Sequence, residues 1–219
     1  MERRSFIKRT VGGTCIIMGT PFFNLLPFGC SNQLRNFETI KDHLWIWGHV
    51  EGSHNGEFNL PSGLKGSTIK MMEACDYMGI TNCMVVGIGG QPAPGTEEKY
   101  AKQLSKCERV GWSVVPAGGP NDIIADHIEN VEVVLKLSQQ YSNIRNVMFD
   151  DYFVGDKPRC TTKQLAEMRT LLGNESNPLD MWVVVYDYNL ERYLVEEQLE
   201  YFDVINFWTW EANNLTLLE

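Results

Sequence analysis

Six times between residues 43 and 210, a short apolar run rich in β-branched and aromatic residues gives way to a polar or glycine-rich loop and then to a helical period. Strands are predicted over 43–50 (HLWIWGHV), 82–88, 112–117, 144–153, 181–188 and 204–210. Helices are predicted from a Ser67 cap through Tyr77 to Gly79, from Thr96 to about Arg109, over Ile123–Tyr141, from Thr161 or Thr162 to near Gly173, and over Leu190–Tyr201. A further helix begins near Asn213. The third helix carries Ile124, Ile128, Val131, Val134, Leu135 and Leu137 at three- and four-residue spacing, one continuous apolar stripe. Strict alternation of strand and helix implies a parallel sheet with helical crossovers. Nearly continuous apolar strands such as 181–188 suit a sheet covered on both faces.

Repeats of about 30 residues, tryptophans at strand ends and glycine-rich loops after the strands favour a (β/α)8 TIM-barrel type over an open doubly wound sheet. No G-x-G-x-x-G follows the first strand, which counts against a dinucleotide fold. Eight such units need about 250 residues, whereas the 219 residues end inside the sixth helix. The expectation is a barrel truncated after about six units, with an open six-unit sheet as the alternative. The 43% hydrophobic content supplies one sizeable core.

Net charge is −9. Setting aside residues 1–29, which hold four basic residues and one acid, leaves 15 basic and 27 acidic residues and a net of −12. An acidic body argues against nucleic acid as a partner.

The beginning of the chain reads as a targeting segment. Arg3-Arg4-Ser5-Phe6-Ile7-Lys8 precedes an apolar stretch, and the pattern resembles a twin-arginine export signal. Glycines and prolines break that stretch too often for a stable membrane span. Cys30 after Gly29 resembles a lipoprotein cleavage box, although Pro27 and Phe28 depart from the usual pattern. The organisation expected is a signal segment over 1–30, a linker over 31–42 and a partial barrel over 43–219. The protein is expected to be exported to the periplasm or cell envelope, with a lipid anchor at Cys30, a soluble product and an uncleaved tether all open. Cys75, Cys83, Cys107 and Cys160 form no C-x-x-C pair and have no histidine at zinc-finger spacing. Cys75 and Cys83 read as small core residues.

The chemistry concentrates where Val147-Met148-Phe149-Asp150-Asp151-Tyr152-Phe153 ends the fourth strand. Val147 and Phe149 suit the helix layer, so alternation turns Asn146, Met148 and Asp150 into the barrel. Two adjacent acids at a strand's carboxyl end are costly to bury unless they hydrogen-bond, bind a metal or react. In barrels that edge carries the active site. Asp150 and Asp151 are therefore candidate catalytic acids, and Glu211, just after the sixth strand, is a third. The structural alternatives are that Asp150 hydrogen-bonds polar groups of the barrel, that Asp151 caps a loop and that Glu211 is a helix N-terminal charge. Trp47 and His49 on the first strand, Tyr186 and Asp187 on the fifth, and Trp208 and Trp210 on the sixth are candidate substrate-binding residues. Trp45 and Trp47 also suit core packing.

Trp45-Ile46-Trp47, the Phe149–Phe153 run and Asn206-Phe207-Trp208-Thr209-Trp210-Glu211, behind a twin-arginine leader, resemble the exported glycoside-hydrolase-type barrels of polysaccharide-degrading bacteria. The likeness covers about residues 43–219. It implies an oligo- or polysaccharide substrate, hydrolysis by paired carboxylates and no cofactor, with the fourth-strand acid matched by Asp150 or Asp151. The second carboxylate of a common subgroup comes from a seventh strand, and the chitinase-type D-x-x-D-x-D-x-E pattern is not found here. Two other readings stay open. One is a metal-dependent sugar isomerase or epimerase with Asp150, Asp187, Glu211 and His49 around Mg²⁺ or Mn²⁺. The other is a glycan-binding barrel without turnover.

Overall fold

The computed structural model describes residues 40–53, 66–88, 90–115, 125–154, 157–173, 177–189 and 195–213. The leader, the linker up to residue 39, and the helix expected after Asn213 lie outside the described residues.

Among the described residues, strands and α-helices follow in the order β1 (Ile46–Gly48), α1 (Met71–Met78), β2 (Asn82–Val85), α2 (Glu97–Gln103), β3 (Arg109–Val115), α3 (Ala125–Gln140), β4 (Ile144–Phe149), β5 (Phe153–Val154), β6 (Lys157–Pro158), α4 (Thr162–Gly173), β7 (Asp180–Tyr186), α5 (Val195–Leu199) and β8 (Val204–Trp208). Six of the strands form one sheet in the order β1-β2-β3-β4-β7-β8, and every pairing in it is parallel. Strand neighbours are thus chain neighbours, as short helical crossovers dictate.

Alternation along each strand splits the side chains into two layers. Cys83, Val85, Val110, Trp112, Val147, Phe149, Met181, Val183 and Val185 pack on the helix side with Met71, Cys75, Val131, Leu165 and Met168. Met84, Val86, Met148 and Val184 face the other way, among Trp45, Trp47, Trp182, Tyr186 and Trp208. Close packing depends on two glycines. A Cβ on Gly48 would lie 2.9 Å from Met71 Cγ, so its absence admits α1 against β1. A Cβ on Gly111 would lie 2.5 Å from Asn146 Nδ2, inside the concave face.

The concave face shows that the sheet is curled. Five strand spacings of about 4.8 Å would put β1 and β8 about 24 Å apart in a flat sheet. Instead the Trp47 and Trp208 ring centroids lie 5.0 Å apart, and those of Trp45 and Trp182 lie 4.9 Å apart. The six parallel strands form a half-barrel with an aromatic lumen. Its amino end is tied by Asn82, whose Nδ2 donates to the carbonyls of Asp42 and Leu44 at 3.0 and 2.9 Å. The Asn82 Oδ1 accepts from Arg109 Nε at 3.0 Å.

Several element boundaries differ from the sequence expectation. Ser67 does not cap α1, because its carbonyl accepts from Gly52 N and its hydroxyl accepts from Ile69 N. The helix starts at Met71, where Glu73 accepts from Lys70 N at 3.1 Å. Gly79 closes it in the left-handed region at φ 63, as expected. Thr96 takes the N-cap position of α2 as expected, with its hydroxyl donating back to Ala93 O rather than accepting from the helix, and α2 ends at Gln103 so that Arg109 can open β3. Thr161 and Gln164 cap α4 reciprocally. The fourth strand stops at Phe149 rather than residue 153, because Asp151 adopts φ 42 and turns the chain. Phe153 then pairs with Pro158 in an antiparallel hairpin, β5–β6, which no periodic signal announces. Among the described residues no helix is long and apolar enough to cross a membrane.

Candidate active site at the carboxyl rim

Parallel pairing puts the carboxyl ends of all six strands at one rim. Asp150 continues the β4 ladder by donating its backbone N–H to Val115 O at 3.1 Å. Its side chain follows Asn146 and Met148 and is only 4% exposed. Asp150 Oδ1 accepts from the backbone of Asp151 at 2.9 Å. Burial, and next the charge of Asp151, push the Asp150 carboxyl up to about 7. Arg159 acts in the opposite direction but does not cancel them.

Asp151 turns away from the strand and meets β7. Its Oδ1 accepts from the Tyr186 hydroxyl at 2.8 Å. Burial, and then this bond and the charge of Asp151, raise the Tyr186 phenol above its ordinary range. Behind the acids, Tyr152 is fully buried, donates to Gln198 Oε1 at 2.6 Å and packs edge-on against Phe149, Phe153 and Phe202. That anchor fixes the loop from which both acids project.

The other candidates lie along the same rim. The Tyr186 ring stacks on Tyr188 at 5.2 Å and on Trp210 at 6.2 Å, with interplanar angles of 8° and 7°. Trp208 meets the edge of Tyr186 at 6.4 Å. Trp210 is 77% exposed, so this platform has an open outer face beside the acid pair. Asp187 Oδ2 accepts from the Thr209 hydroxyl at 2.7 Å, and Oδ1 accepts from Tyr188 N at 2.9 Å. Asp187 thereby cross-links the ends of β7 and β8. Glu211 is exposed and folds back through its N–H, which donates to Thr209 Oγ1 at 3.1 Å. His49 is half-buried just after β1. Trp47 lies deeper, against Trp208 in the lumen.

Two further residues belong to the site. Arg159, in the loop after β6, is 6% exposed, and its backbone N–H donates to Tyr152 O at 3.0 Å. Burial lowers its pKa, and the charges of Asp151 and Asp150 oppose that shift. Asn189 is buried and accepts from Tyr186 N at 2.8 Å, holding the end of β7. Neither had a sequence signal beyond a lone basic residue and a lone amide in loops. Below the rim, a cavity of about 280 Å³ is lined by Trp45, Trp47, Trp182, Trp208, Met84 and Asn206, with His43 and Leu44 at its amino end. Trp208 is shared by the cavity and the platform.

Among the described residues no three of His, Cys, Asp and Glu converge as a metal-ligand set. The arrangement therefore offers a proton-holding acid, a second carboxylate oriented by a phenol, a buried cation and a flat aromatic surface. Comparison with models of known protein families, with characterised proteins and with solved structures finds no match.

Proposed function

We propose that this protein is a glycoside-hydrolase-like enzyme of the (β/α)8 type that acts on an oligo- or polysaccharide at the carboxyl rim. The observation that carries the reading is the junction of Asp150, Asp151 and the Tyr186–Trp210 platform through the 2.8 Å Tyr186–Asp151 bond. Asp150, raised to about 7, keeps a proton near neutral pH and can deliver it to a leaving glycosidic oxygen. Asp151, aimed by Tyr186, serves as the second carboxylate, attacking the anomeric carbon or activating water. Asp187 and Glu211 remain further carboxylates for the same rim. Flat aromatic faces such as Trp210 and Tyr188 stack on the apolar C–H surfaces of sugar rings, and Trp208, Trp47 and His49 extend the surface inward. The arginine-pair leader supports export to the periplasm or cell envelope as part of the same reading, with a lipid anchor at Cys30 its variant form.

The test is release of reducing ends from a panel of polysaccharides by the purified chain. Activity present in the wild type and lost in both Asp150→Asn and Asp151→Asn supports the assignment. Wild-type rates in both variants remove it, and tight glycan binding without turnover replaces it with a non-catalytic binding barrel. Turnover that disappears with chelator and returns with Mg²⁺ or Mn²⁺ would favour the isomerase-like alternative.

A further inference from the structure

We propose that Cys75 and Cys107 are a redox-sensitive pair that closes into a disulfide and staples the end of α1 to the segment entering β3. Cys75 lies in the last turn of α1, and Cys107 lies two residues before β3. Their Sγ atoms are 4.0 Å apart, with the Cys107 thiol donating to Cys75. This inference is independent of the carbohydrate reading.

The backbone around both residues is already in register. Ile80 N donates to Cys75 O at 3.1 Å, and Glu108 N donates to Thr81 O at 2.8 Å. The Thr81 hydroxyl donates to Glu108 Oε2 at 3.2 Å, and Asn143 Nδ2 donates to Cys107 O at 3.0 Å. Closing the bridge therefore asks the two sulfurs to approach by about 2 Å, to the S–S length of about 2.05 Å, largely by side-chain rotation. In the packed pair Cys75 is the acceptor and Cys107 the donor. The hydrogen bond from Cys107, and next the neighbouring Cys83 side chain, hold the Cys75 thiol below the ordinary range. The same contacts and burial push the Cys107 and Cys83 thiols up.

The oxidant required is a disulfide, either glutathione disulfide or a dithiol–disulfide exchange protein. The Cys75 thiolate attacks one sulfur of that disulfide, forming a mixed disulfide and releasing one thiolate. That thiolate takes the Cys107 proton. The Cys107 sulfur then attacks Cys75 Sγ and displaces the second thiolate, which takes up from water the proton that Cys75 had released on ionising. Two protein thiols become one disulfide, the oxidant becomes two thiols, and the electrons balance. Both residues are nearly inaccessible, 1% and 4% exposed. The exchange thus runs while the end of α1 is open or before it docks, and the closed bridge is afterwards shielded from reductant.

The full-length chain is equilibrated in glutathione buffers from fully reduced to fully oxidised, both folded and during refolding. It is then denatured in N-ethylmaleimide and mapped by mass spectrometry. The expected result in oxidising buffer is a Cys75–Cys107 linked peptide, with Cys83 and Cys160 alkylated. Thermal stability should rise by about 10 °C over the reduced protein, the scale for cross-linking a loop of this length. Cys83→Ala should retain the linkage and Cys107→Ala should abolish it. Full alkylation of Cys75 and Cys107 in both the folded and refolding arms, or linkage of Cys75 to Cys83, overturns the proposal. The readout on the wild-type chain decides the matter even where a variant folds poorly.

Discussion

The Tyr186 hydroxyl donates to Asp151 Oδ1 at 2.8 Å, spanning from the end of β7 to the loop after β4. One bond therefore joins the aromatic platform to the acid pair. Tyr186→Phe deletes the bond while keeping the ring and its stacking. Turnover of a cleaved glycan should fall about 10- to 100-fold, the scale of a hydrogen bond to a charged acceptor. The check is kcat from reducing-sugar release, and an unchanged kcat would show that Asp151 needs no orientation by Tyr186.

Asp150 makes stability depend on pH. An unfolded aspartate titrates near 3.9, whereas the folded carboxyl is raised to about 7. Between those values the folded state holds a proton that the unfolded state releases. Stability contributed by this group is full below about pH 4 and is lost as pH rises through about 7, by up to a few kcal/mol. Asp150→Asn should therefore melt higher than the wild type at pH 8 and show a flatter Tm profile between pH 4 and 8, while releasing no sugar. Scanning calorimetry across that range checks it. A parallel wild-type profile would return Asp150 to an ordinary carboxylate.

In the proposed hydrolysis the same proton is the one delivered to the leaving group. Activity that depends on Asp150 as the acid should decline above about pH 7 as the carboxyl ionises. A kcat profile still rising at pH 9 would assign the acid elsewhere.

Trp210 is exposed, so its removal should cost binding rather than fold. Trp210→Ala is expected to weaken glycan affinity by about tenfold, the scale of one aromatic contact, with unfolding essentially unchanged. Fluorescence titration with oligosaccharides and a denaturant melt separate the two effects. An unaltered affinity would detach the platform from the substrate.

Gly111 tests the concave packing. A Cβ there would sit 2.5 Å from Asn146 Nδ2 and from Met84 Cε. Gly111→Ala should destabilise by about 1–3 kcal/mol, the range for overpacking a core. Urea unfolding reads this directly, and a neutral result would mean that the lumen is looser than its geometry.

Much of the architecture was legible because it rests on local periods. The alternation of Val147 and Phe149 with Asn146, Met148 and Asp150 assigned both faces of β4, and the structure packs them that way. Gly79 marked the end of α1 for the same local reason. The Ser67 cap was misread because its hydroxyl and carbonyl found other partners, whereas Thr96 does open α2. The β5–β6 hairpin was missed because two-residue strands carry no period.

By itself, the amino-acid order determined the alternation of parallel strands with helices, that the sheet is apolar on both faces, and that Asp150 stands at a strand's carboxyl end. Those properties depend on neighbours a few positions apart. Only the tertiary structure decided that Tyr186 reaches Asp151, that Asp187 is occupied in joining β7 to β8, that Arg159 is buried beside the acids and that Cys75 meets Cys107. Each of those meetings depends on the curl of the sheet or the docking of a distant segment, and neither is encoded in any short stretch of chain.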